Sequence, residues 1–93
     1  MFDDVDWTHR ADYMRARHGI SVIMANEALM DPNRLVIDPD PASRSGKGTR
    51  VIGWSQTAGH VVTVIVVTED GVEYGANGWR TEDRDLRLYG DQE

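Results

Sequence analysis

The chain contains no cysteine. That removes disulfides, thiolate nucleophiles and cysteine-based zinc sites together, and for a chain of 93 residues it points to a reducing, intracellular setting. Lysine is almost missing too: Lys47 is the sole lysine among ten basic residues. An arginine bias of this kind often follows genome composition, so no single arginine is significant by type alone. No segment approaches the roughly 20 apolar residues that a membrane span requires. The opening Met1-Phe2-Asp3-Asp4 is acidic where a signal peptide would be basic and then apolar. A cytoplasmic protein without membrane contact is therefore expected. Repeats and low-complexity tracts are also lacking.

What is present is acidic. The net charge is −6, which disfavours general nucleic-acid binding, because neutralising phosphates is the main source of that affinity. It leaves room for a local basic site, since exposed charges are screened beyond about 8–10 Å in physiological salt. Hydrophobic content of 40% and charged content of 28% fit one globular domain over residues 1–93.

The pattern predicts an α+β domain. Thr8 to Arg17 reads as a first helix, with Asp6 or Thr8 as N-cap and Trp7, Ala11, Met14 and His18 on one face. Gly19 suits its C-terminal stop. Ser21 caps a second helix, Val22 to Met30, closed by Asp31-Pro32. Leu35-Val36-Ile37 is a short strand and Asp38 to Gly48 a loop. Thr49 to Ser55, His60 to Thr68 and Val72 to Asn77 are further strands, with Asp70-Gly71 a hairpin turn. A final helix follows, capped by Thr81 and running through Tyr89. Arg80, Arg84 and Arg87 are expected on it, Gly90 is expected to end it, and the last three residues to fray. This makes two N-terminal helices, an antiparallel sheet of about four strands, and one C-terminal helix. The central strand is apolar on both faces, Val61, Thr63, Ile65 and Val67 against Val62, Val64 and Val66. Helices cover one side; the last helix, or a partner chain, covers the other.

Few residues carry recognisable chemistry. His9 and His18 lack a metal-binding spacing, and the prolines around Asp38 and Asp40 break any cation loop, so no metal or cofactor is expected. Ser43 to Thr49 has the composition of a phosphate loop, but Gly48 follows Lys47 and the Walker spacing fails. It reads either as a solvated loop or as a basic loop, through Arg44 and Lys47, that touches RNA or an acidic partner. Metal-free RNA cleavage asks for less: cations at the phosphate, and groups to take and return a proton. Arg50, Arg80 and Arg84 are the candidate cations, and His60 and Tyr89 the candidate proton-transfer groups. Trp54 and Trp79 are candidate base-stacking residues. Each of these also fits an ordinary surface role.

Several short motifs, in order, resemble the BrnT-type ribonuclease toxins of bacterial type II toxin–antitoxin systems. They are Trp7, His18-Gly19-Ile20-Ser21 opening a helix with Ala25 and Ala28, Asp31-Pro32, Ile52-Gly53-x-Ser55 and Gly59-x-x-Val62-x-Val64. A C-terminal pattern follows, falling loosely on Gly78, Trp79, Arg80, Thr81, Glu82, Asp85 and Tyr89. The resemblance implies a compact RelE-like α+β fold and a toxin that cleaves RNA without a metal. It also implies neutralisation by a cognate DNA-binding antitoxin, in a hetero-oligomer or alongside a homodimer. The chain departs from the pattern where Trp79 stands in place of an arginine, with Arg80 beside it, and where His60 precedes the central strand. The alternative is a non-catalytic interaction module on the same fold.

Overall fold

A computed structural model describes residues 2–91. Its elements run α1 (Ala11–His18), α2 (Val22–Leu29), β1 (Leu35–Ile37), β2 (Gly48–Ser55), β3 (His60–Glu69), β4 (Val72–Arg80) and α3 (Asp83–Gly90). The four strands form one antiparallel sheet in the order β1-β2-β3-β4, so the α+β layout is as the sequence predicts.

The β-branched run of β3 sets the architecture. Val62, Val64 and Val66 point to one face, where they are buried with Met14, Ile20, Ala25, Ala28 and Leu29 of the α1–α2 segment. We call this the inner face. Each such side chain buried in full contributes roughly 1.5–3 kcal/mol. Two glycines let the helical layer come close. A Cβ on Gly53 would overlap the Ala28 carbonyl, and one on Gly75 would overlap the Trp7 ring. Ser21 caps α2 as expected, its Oγ accepting from the Met24 amide at 3.2 Å.

The outer face carries Ile37, Arg50, Ile52, Thr63, Ile65 and Trp79, aligned by the ladder. α3 packs against β2 and Ile52 is fully buried, so the last helix covers part of this face. Ile65 and Val67, nearer β4, stay half-buried. At the hairpin, Asp70 and Gly71 both have positive φ, 52° and 79°, the combination that matches the twist of paired strands.

Several boundaries differ from the sequence reading by one residue; the differences with consequences are these. α1 begins at Ala11, because Asp6 Oδ1 accepts from the Thr8 amide in a tight turn, while Asp6 bridges to Tyr74 beside β4. β4 continues through Trp79 and Arg80, paired with Thr63 and Val62, so Arg80 is a strand residue and not a helical one. Thr81 does not cap α3: its hydroxyl is buried against Thr63 Oγ1 at 2.9 Å, and Glu82 occupies the N-cap. Gly90 is the last residue of α3, with Asp91 as C-cap. Of the three residues expected to fray, Gln92 and Glu93 lie outside the described residues.

Candidate functional site

The outer face builds a site around Arg50. β2 projects its side chain towards α3, and two carboxylates receive it. Nη1 donates to Asp85 Oδ2 at 2.6 Å and Nε to Asp40 Oδ1 at 3.2 Å. All three side chains are largely shielded, at 19%, 5% and 13% exposure for Arg50, Asp40 and Asp85. Charge-assisted bonds of this kind are strong where water is excluded, but one cation between two carboxylates leaves the cluster net negative. The Trp79 ring lies 5.9 Å from the guanidinium carbon of Arg50. Arg50, Asp85 and Arg84 also line a cleft of ≈ 370 Å³, with Ile37, Pro41 and Leu88 as its apolar walls.

Asp40 explains why the 38–48 loop is not a free basic flap. It is buried, its amide donates to the Gly48 carbonyl at 2.7 Å, and its carboxylate accepts from the Ala42 amide at 3.1 Å as well as from Arg50. Lys47 is tied to Glu69 at 3.4 Å on an exposed surface. Arg44 is exposed and makes no ion pair among the described residues.

The residues singled out in the sequence divide between the two faces. Arg50, Arg84 and Trp79 come together on the outer one. Arg80 pairs with Val62 and so belongs to the inner face, exposed at the end of β4. His60 shares that face, on the same side as Val62 and diagonal to Arg80. It is half-buried with Nδ1 3.1 Å from the Val61 carbonyl. Neither side chain joins the Arg50 cluster. Trp54, 43% exposed, lies at the far end of β2, above a shallow hollow formed with Met30, Pro32 and Gln56.

Tyr89 is engaged elsewhere. Its hydroxyl donates to Asp31 Oδ2 at 2.5 Å, and the same carboxylate accepts from the amides of Trp54 and Asn33 at 2.8 and 2.9 Å. Burial, and then the neighbouring Asp31, push the Tyr89 phenol up to about 12. For Asp31, burial opposes ionisation, yet the donors from Tyr89, Asn33 and Trp54 outweigh it and hold the carboxyl below its ordinary value. Tyr89 is thus a protonated donor fixed on a protein carboxylate.

Sequence reasoning missed the acids that govern this face. Asp40 had a readable signal: antiparallel pairing of β1 with β2 sets Ile37 opposite Arg50, so the residues just after Ile37 must lie near that arginine. Asp85 had none, because nothing local fixes where α3 crosses the sheet. His18 was also missed. Its ring is 6.0 Å from Trp79, placing an imidazole beside the outer face.

The fold and this site define an α+β domain with a cation–aromatic cluster on the side of its sheet left open by α1 and α2. The chain matches no protein-family model and no curated protein. Among the described residues, no helix is long and apolar enough to cross a membrane.

Proposed function

We propose that this chain is the toxin-type component of a toxin–antitoxin pair, a cytoplasmic BrnT-like protein that engages and cleaves RNA without a metal and is neutralised by a cognate DNA-binding partner protein. The observation that carries the reading is the adjacency of Arg50 and Trp79 on the outer face, a guanidinium beside an indole at 5.9 Å. A guanidinium stabilises charge on a phosphate whose 2′-hydroxyl neighbour attacks phosphorus and expels the 5′-oxygen, leaving a 2′,3′-cyclic phosphate, with water taking the hydroxyl proton and returning one to the leaving oxygen. An indole offers a base a plane to stack on. Arg84, on the rim of the same cleft, adds a cation. His60, Arg80 and Tyr89 have no part in this centre, which leaves Arg50 and Arg84 from the set named by the sequence. Leu86 and Leu88 of α3, 41% and 46% exposed, give a partner protein apolar surface to cover.

The second reading, a non-catalytic interaction module, is favoured by one specific feature. Asp40 and Asp85 already satisfy Arg50, so a phosphate must displace a carboxylate to reach it.

Induced expression in a heterologous host, with growth and transcript integrity followed together, separates the two. The proposal expects arrest with shortened transcripts, relieved by co-expressing a neighbouring DNA-binding protein. Intact transcripts together with a stable protein complex establish the second reading.

A further inference from the structure

We infer that a row of rings and guanidinium groups wrapping the outer edge of β4 is a stacking surface for the bases of single-stranded RNA. This deepens the RNA-directed reading above and rests on it. The row starts at the N-terminal end of α1, where Arg10 is the N-cap and Tyr13 lies in the first turn. The Arg10 guanidinium carbon sits 4.2 Å from the Tyr13 ring centre. The Tyr13 and His18 rings follow at 6.4 Å, edge to face at 78°. His18 and Trp79 are 6.0 Å apart at 51°, and Arg50 closes the row 5.9 Å beyond Trp79.

None of these side chains belongs to the hydrophobic core. Tyr13 is 45% exposed, and Arg10 and His18 are exposed as well. The backbone nevertheless holds them in place. Ile65 pairs with Asn77 and Val66 with Gly75, so Ala76 is an extra residue that bulges out of the ladder. Arg10 Nε donates to the Ala76 carbonyl at 3.0 Å, which fixes the guanidinium over Tyr13. Asn77 is pinned by the Gly78 amide at 2.9 Å, and its Nδ2 lies 3.5 Å from His18 Nε2.

Rings held before a ligand arrives lose little freedom when it binds. Rings and guanidinium groups also serve protein contacts, and what favours a single strand here is the continuous run of planar groups that starts at the exposed Arg10. Planes take bases of any sequence, and the exposed guanidinium of Arg10 meets the backbone charge, a combination that proteins use for single strands. Guanidinium contacts to phosphate make such binding weaken as salt rises.

The test is fluorescence anisotropy of a labelled, 2′-O-methylated single-stranded oligoribonucleotide, which cannot be cleaved, at low ionic strength. Tyr13→Ala and His18→Ala each weaken binding about tenfold, while Tyr13→Phe, which keeps the plane, binds as the native chain does. Both sites are exposed, and circular dichroism confirms that the variants fold. Native-like binding by Tyr13→Ala and His18→Ala overturns the row and leaves the RNA reading standing. So does growth arrest with shortened transcripts from a chain that does not bind the oligonucleotide. Loss of partner-protein binding in these variants, with oligonucleotide binding intact, overturns the row and marks the edge as a protein contact. Absence of both oligonucleotide binding and arrest removes the row and the RNA reading together.

Discussion

The Tyr89 hydroxyl donates to the Asp31 carboxylate at 2.5 Å across 58 residues of sequence. This bond ties α3 to the end of α2, and through the Trp54 amide to the edge of β2. α3 buries none of its own side chains fully. Its attachment therefore rests on this contact, on the Arg50–Asp85 pair, and on Thr81 at its root. Tyr89→Phe removes one bond to a charged acceptor and is expected to cost about 1.5–3 kcal/mol, read as a lower denaturation midpoint in urea.

The same pair sets the pH response at both ends. The folded-state value of Tyr89 is raised, to about 12 from an ordinary 10.0. Its contribution to stability is complete below the ordinary value and fades as pH climbs towards the folded one. Tyrosinate absorbance should show one component near 12 that disappears in Tyr89→Phe. Asp31 is lowered from 3.8, so its contribution is present above that pH and is lost as pH falls through the folded value. Asp31→Asn should be less stable at neutral pH, and its stability should depend less on pH in the acid range. An unchanged acid limb removes Asp31 as a determinant.

Gly53 and Gly90 make opposite predictions from the same substitution. A methyl at Gly53 meets the Ala28 carbonyl, backbone that cannot yield without moving α2. Gly53→Ala should destabilise by about 1–3 kcal/mol, the usual effect of overpacking. A methyl at Gly90 meets nothing within 4 Å. Gly90→Ala should leave stability unchanged or raise it by up to about 1 kcal/mol. Thermal denaturation of the two variants decides both.

Asp85→Asn addresses the carboxylates around Arg50. It removes the charge that Arg50 now meets at 2.6 Å and keeps the shape of the side chain. The RNA reading expects oligonucleotide affinity to rise several-fold at low salt, with the gain shrinking as salt screens it. Unchanged or weaker affinity places Arg50 in a structural role.

How far the sequence reaches can be judged from these residues. The β-branched run of β3, the Asp70-Gly71 turn and the Ser21 cap are local signals, and each lies where its chemistry requires. The inner face is legible as well, since strand alternation sends Val62, Val64 and Val66 one way. The sequence reading ends β4 at Asn77, whereas the fold continues the strand through Gly78, where the missing side chain admits Met14, whose Sδ would lie 2.9 Å from a Cβ there. That error moved Arg80 from strand to helix, and with it the expected convergence of cations. The bulge at Ala76 and the crossing of α3 decide which side chains reach Arg50, and both depend on contacts far apart in sequence.

The most direct measurement compares Arg50→Ala with Arg80→Ala on induction in a heterologous host, following growth and transcript integrity, with soluble folded protein confirmed for each. The two arginines project from opposite faces of the sheet. Arg50→Ala should abolish arrest and RNA cleavage while Arg80→Ala retains both. Loss with Arg80→Ala and retention with Arg50→Ala would place the working surface on the inner face and contradict the proposed centre at Arg50.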